Sequence, residues 1–289
     1  MKIEKIAVIK GGQDGAIYGS ELFRFDARGN CRVYDLSALK NNDVTSLEET
    51  ASFRLDRCEE LAPHSNAVCF GCEFYDRGDE YPLLYTNIYN NYARNEDKLT
   101  GVCLVYRIFR EGESFGSRLV QMIEIGFTED SDLWKAYPDR HGVRPYGNFL
   151  VDTDTRSYWG FVMRNEELGT RYFRFDLPSV HWGETDARYG IKRAVLTKED
   201  IREYFDCGYH HYIQGAILRD GKIYSTEGFT NDERERPAIR IIDLGKGAER
   251  YFDISSIGYP DEAEFIDFYE GQCLYGDAHG ALYRVEFDG

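Results

Sequence analysis

Val33-Tyr34-Asp35-Leu36, Val105-Tyr106-Arg107-Ile108, Arg174-Phe175-Asp176-Leu177, Ile241-Ile242-Asp243-Leu244 and Leu282-Tyr283-Arg284-Val285 are five variants of one strand. Each follows an earlier apolar strand headed by a polar residue. A unit of that kind, repeated along a chain, is how radially arranged sheets are written in sequence. Working outward from each copy divides the chain into sheets of four strands. The first covers 15–19, 22–25, 31–36 and 51–55; the second 66–71, 83–88, 102–109 and 118–125. The third takes 148–152, 158–163, 172–177 and Lys192–Leu196; the fourth 214–218, 222–225, 239–244 and 250–254. The last has three strands, 264–269, 272–275 and 281–287, before the chain ends. Residues 2–9 form an isolated strand ahead of the first copy, so they are expected to pair as the missing outer strand and close the ring.

The expectation is therefore an all-β fold, a single five-bladed β-propeller of four-stranded antiparallel blades. The blades fall at about 10–58, 59–126, 142–197, 208–256 and 260–289, the last completed by 2–9. Turn chemistry agrees: Ala27-Arg28-Gly29-Asn30 and Arg219-Asp220-Gly221 supply the Gly and Asx residues that tight hairpins need. Thr197-Lys198-Glu199-Asp200 ahead of Ile201 reads as an N-capped short helix, and 127–141 as a short helix or structured loop between copies. No Pro-rich or low-complexity linker marks a domain boundary.

Composition narrows the function classes. Twenty-two Tyr and eighteen Phe make up most of an aromatic content of 15%, as suits strands joined by tight turns. A formal net charge of −16 argues against nucleic acid and anionic membrane surfaces as partners. The first nine residues are too short and too charged for a secretory signal. Seven cysteines, an odd number, fit reduced thiols and a cytoplasmic location. Cys69-x-x-Cys72 has no second pair to complete a zinc site and reads as buried structural thiols.

Each innermost strand begins beside a polar residue: Asp14, Asn66, Asn148, Gln214 and Glu264. Inner strands line the central channel of a propeller, so these five side chains are expected to meet near its axis. His64, Tyr146, His210, His211, Tyr212 and Glu262 lie just upstream and would form the rim. The expected ligand-binding set is Asp14, His64, Asn66, Tyr146, Asn148, His211, Gln214 and Glu264. Amide and carboxylate oxygens suit a hard cation such as calcium, with Asp14 and Glu264 as candidate ligands, or a small polar molecule such as a saccharide or metabolite. Asp14, His64 and Glu264 are the candidates for acid–base or nucleophilic work, paired carboxylates being able to cleave glycosidic bonds. A propeller can equally serve as a protein-interaction scaffold through its loops. Asp152-Thr153-Asp154 is expected to make a hairpin turn and Glu227-Gly228 a loop. Trp159 is expected in the core, with Trp134 and Trp182 near a pocket.

Tyr212-Ile213-Gln214-Gly215-Ala216-Ile217, followed by Gly221-Lys222-Ile223-Tyr224-Ser225-Thr226-Glu227-Gly228, resembles blade starts of five-bladed propellers in the glutaminyl-cyclase-like group. The stretch covers about a sixteenth of the chain. It differs at Ser225-Thr226, where that group places an acidic residue before the pair. The resemblance implies the same architecture and a Gln214 that faces the central pocket, and it brings a cyclotransferase, hydrolase or lyase acting on a saccharide or peptide end into consideration.

Overall fold

Strand β1 (Lys2–Val8) leads into the first blade, β2 (Gly15–Tyr18), β3 (Glu21–Phe25), β4 (Asn30–Asp35) and β5 (Glu49–Arg54). The second blade is β6 (Val68–Phe70), β7 (Leu84–Asn87), β8 (Val102–Glu111) and β9 (Ser114–Ile125). The third begins with β10 (Tyr146–Asp152), β11 (Ser157–Asn165) and β12 (Gly169–Asp176); β13 (Glu184–Thr185) and β14 (Lys192–Leu196) then intervene before β15 (Glu203–Cys207). The fourth comprises β16 (Ile213–Arg219), β17 (Lys222–Glu227), β18 (Ala238–Asp243) and β19 (Ala248–Asp253). The fifth comprises β20 (Ala263–Tyr269), β21 (Gln272–Asp277) and β22 (Ala281–Glu286). This computed structural model describes residues 1–40, 44–88, 101–129, 146–209, 213–228, 236–256 and 262–288, with the backbone alone for 146–149.

The fifth sheet has the order β1-β22-β21-β20, with Lys2 opposite Glu286 and Val8 opposite Ala281. The first strand of the chain therefore completes the last blade, and the ring is closed by backbone hydrogen bonds between the two ends of the described chain. The innermost strands touch in cyclic order, β2 against β6, β6 against β10, β10 against β16, β16 against β20 and β20 against β2.

The repeated dipeptides now have a physical explanation. Side chains alternate along a strand, and each blade has a neighbour on both faces. Val33 packs between blades one and two while Tyr34 packs between blades five and one. Tyr106 and Val105 divide in the same way between blades one and three, as do Ile242 and Ile241 and Leu282 and Tyr283. A strand with a blade on each face is apolar on both, which is why the two leading residues of four copies are apolar; the charged third residue, Asp35, Arg107, Asp176, Asp243 or Arg284, is partly or fully exposed in each.

One expected strand belongs elsewhere. Lys192–Leu196 is not the outer strand of the third blade. It pairs in parallel with β9, Lys192 opposite Gln121 and Leu196 opposite Ile125, and carries β13 with it to the outside of the second sheet. The third blade takes its fourth strand from β15 instead, Thr170 opposite Cys207. The second sheet is consequently a four-stranded antiparallel blade extended by a two-stranded strap. The switch is made at Thr197, whose hydroxyl and amide both donate to the Asp200 carboxylate at 2.8 Å across a single 3-10 turn, Lys198–Asp200. The expected cap is therefore present, but Tyr204 and Phe205 continue as strand and not as helix.

All seven cysteines are free thiols. Cys69 lies in the apolar contact between blades two and three, and burial pushes its thiol up to about 12, which leaves it protonated and inert. Among the described residues no helix is long and apolar enough to cross a membrane.

Candidate functional site

All five inner strands start at the same end of the ring, and the side chains there are held by backbone as much as by one another. Asp14 precedes β2. Its amide donates to the Ser65 carbonyl at 3.1 Å, and its Oδ2 accepts the Val68 amide at 2.9 Å, tying blade one to blade two. Its Oδ1 lies against Gly215 on β16, across the ring. A side chain at Gly215 would place its Cβ 3.0 Å from that oxygen and 2.5 Å from the Glu264 carbonyl. Glycine at 215 thus permits blades one, four and five to converge.

Glu264, on β20, accepts the Gln13 side-chain amide at 3.1 Å through Oε1. The Glu262 carboxylate is near enough to act on it electrostatically. Burial first, and Glu262 second, hold Glu264 well above the usual carboxylate range. Burial does the same to Asp14, against the opposing pull of the Val68 and Gly15 amides and the charge of Arg24. Both acids are therefore held toward their neutral forms. Asp14 Oδ1, Glu264 Oε2 and Gln13 Oε1 are buried and have no hydrogen-bond partner among the described residues.

Arg24 lies beside this group on β3. It is fully buried, and one terminal nitrogen donates to the Gly12 carbonyl at 2.9 Å and the Asp277 carbonyl at 3.1 Å. Its guanidinium sits 5.3 Å from the centre of the Phe265 ring. The arginine bridges the seam between the first and last blades, and it supplies positive potential to Glu264 and Asp14 without contacting either as an ion pair.

The sequence-derived set divides by depth. Asp14 and Glu264 are at 0% and 1% exposure, so they form a layer beneath the accessible surface. Gln214 is also buried. Asn66, His64 and Glu262 are partly exposed. Asn66 accepts the Asn87 side-chain amide, and burial lowers the His64 imidazole below its ordinary value. Tyr146 and Asn148 lie at the start of β10, as the ring requires, although only their backbone is described. His210, His211 and Tyr212 fall outside the described residues, as does the stretch 130–145 with Trp134.

Other expectations resolve individually. Asp152 caps its own hairpin, its Oδ1 accepting the Asp154 amide at 3.0 Å and its Oδ2 the Thr155 hydroxyl at 2.6 Å. Trp159 is buried in the core between blades three and four. Trp182 is 49% exposed on the segment leading to β13, at the outside of the second sheet. Glu227 is not in a loop: it ends β17, is buried, and accepts Arg240 Nε at 3.0 Å. Among the described residues no group of three His, Cys, Asp or Glu side chains is arranged to hold a metal ion. Sequence reading missed Gln13 and Arg24. The available signal for the second was a lone charge inside the apolar run Leu22-Phe23-Arg24-Phe25.

No protein-family profile matches the chain, and no curated protein matches it. Solved structures similar to it include glutaminyl cyclase of Myxococcus xanthus, at 12% identity and a TM-score of 0.46 over 99% of this chain and 94% of that one. Hydrazine synthase of Kuenenia stuttgartiensis is similar at 10% identity and a TM-score of 0.42 over 91% of this chain, which spans only 61% of that protein. The computationally designed Ika8 protein is similar at 8% identity and a TM-score of 0.37, over 97% of this chain and 99% of its own. The fold assignment stands on the strand pairings above, and the chemistry on this chain's own residues.

Proposed function

We propose that the protein binds a small polar molecule, a saccharide or metabolite, where its inner strands begin. The observation that carries this reading is the group of buried oxygens without a partner among the described residues, Asp14 Oδ1, Glu264 Oε2 and Gln13 Oε1, with Glu262 and Asn66 partly exposed. Buried polar atoms are costly unless hydrogen-bonded, and an uncharged hydroxyl- or amide-bearing ligand satisfies them. Two carboxyls held toward neutrality by burial favour such a ligand over a cation such as calcium.

A thermal-shift panel of saccharides, polar metabolites and calcium against the wild type, Gln214→Ala and Glu264→Gln tests this. Stabilisation by an organic ligand in the wild type, lost in both variants while their unliganded melting points stay close to it, is the expected result. A panel without any stabilising compound, or variants that respond like the wild type, would overturn the reading. The Glu262–Glu264 carboxyl pair favours one second reading, a hydrolase, lyase or cyclotransferase at the same funnel. A neutral carboxyl beside another acid is the arrangement that supplies a proton and then takes one back. Turnover of a glycan or an N-terminal glutaminyl peptide that disappears in Glu264→Gln would support it.

A further inference from the structure

The face opposite the start of the inner strands carries a groove. β2 runs away from that start, and β8, parallel to β6 within its blade, does the same. The turns that follow them, at Gly19-Ser20 and Gly112-Glu113, therefore meet on the far face. Between them lies an open groove of about 620 Å³ at the junction of blades one and two.

Tyr18, Tyr81 and Phe115 line its apolar wall, with ring centres 5.7 Å apart for the first pair and 5.9 Å for the second. Tyr18 presents an exposed face. Four acids, Glu21, Asp35, Glu80 and Glu113, share the lining with one cation, Arg110. That arginine is already engaged. Its guanidinium lies 4.4 Å from the centre of the Phe115 ring, with one nitrogen 2.6 Å from Glu21 Oε1 and Nε 3.4 Å from Glu80 Oε2. The Tyr81 hydroxyl donates to Glu21 Oε2 at 2.6 Å and accepts a hydrogen bond from Arg110. The groove thus holds, from its own chain, a guanidinium over an aromatic ring with carboxylates beside it, and negative charge remains in excess around it.

We propose that this groove docks a protein segment presenting arginine or lysine side chains, laid across Tyr18 with its cations toward Glu80 and Glu113. Charge complementarity selects the partner: the lining is net negative, and the whole chain at −16 draws a basic segment in from a distance. The open shape selects a segment over a single ion. Exposed charge pairs and exposed cation–π contacts are individually weak, so useful affinity requires several cations on one chain to engage together.

The test is fluorescence anisotropy of a labelled peptide of alternating arginine and glycine with the 289-residue protein at near-physiological salt. The double substitution Glu80→Gln/Glu113→Gln is expected to raise Kd about tenfold. Tyr18→Leu, which keeps apolar bulk and removes the aromatic face, is expected to raise it about threefold. Glu4→Gln/Glu286→Gln, which removes the same charge from the fifth blade, is expected to change it less than about twofold. Equal weakening by the two double substitutions would reduce the effect to the general field of an acidic protein and overturn the proposal. So would the absence of peptide binding. Spermine binding as tightly as the peptide would place a small polyamine in the groove and overturn the assignment to a protein segment.

Discussion

Asp267 shows how a buried carboxyl responds to two opposed influences. On β20, its Oδ2 accepts the Ile17 amide of the first blade and its Oδ1 accepts the Phe268 amide, each at 2.7 Å. Those bonds and the charge of Arg219 favour the ionised form, yet burial outweighs them and lifts the carboxyl to about 7. Below about pH 4 the folded and unfolded chains both hold the proton, and the contribution to stability is complete. As pH rises the unfolded group ionises first, so stability declines until the folded group ionises in turn near 7. Urea unfolding at about pH 5 and about pH 8 is expected to show the wild type losing roughly 1–3 kcal/mol relative to Asp267→Asn over that interval. A constant offset, from the acceptor that the amide lacks, is expected at both. Parallel pH profiles would rule the titration out. Asp14 and Glu264 were legible in the sequence because they begin inner strands, where the repeat fixes position. Arg24 and Asp267 were not. A polar residue inside an apolar strand points either to solvent or into a neighbouring blade, and only the neighbour's placement decides which.

The strap β13–β14 illustrates what periodicity leaves undecided. Ala194 and Leu196 alternate toward the apolar contact between blades two and three, so 192–196 reads correctly as a half-buried strand. Its partner could not be read, because every outer edge offers the same row of amides and carbonyls. The choice is made by Gln121 on β9, whose buried side-chain amide donates to the Ser179 carbonyl at 2.8 Å and the Trp182 carbonyl at 3.0 Å. Arg193 adds an ion pair to Glu124 at 2.6 Å and another to Asp186 at 3.1 Å. Gln121→Leu leaves two carbonyls without that donor and is expected to cost about 1–3 kcal/mol. Hydrogen exchange followed by mass spectrometry should speed up in 179–196 while β15 keeps its protection. A uniform rise across the third blade would show that the strap and β15 open as one unit.

Ring closure concentrates the consequences of one strand. β1 covers the edge of β22, and its Ala7 joins the core between the fifth and first blades. On the inner side of the same seam Arg24 bridges the Gly12 and Asp277 carbonyls. Deletion of residues 1–8 is expected to expose both an unpaired edge and an apolar face, converting reversible unfolding into aggregation. A peptide of residues 1–9 added in trans should restore the native melting transition, and a truncated protein that unfolds reversibly without it would contradict the closure. The sequence by itself determined the number of blades and the strand that closes them. Each of these follows from alternation and turn chemistry, which act over a few residues. Tertiary structure alone decided that Asp14 and Glu264 lie beneath the surface, that Arg24 holds the seam, that the strap belongs to the second sheet and that a groove opens on the far face. Those outcomes depend on burial and hydrogen bonding between residues far apart in the chain, and local pattern carries no record of such distances.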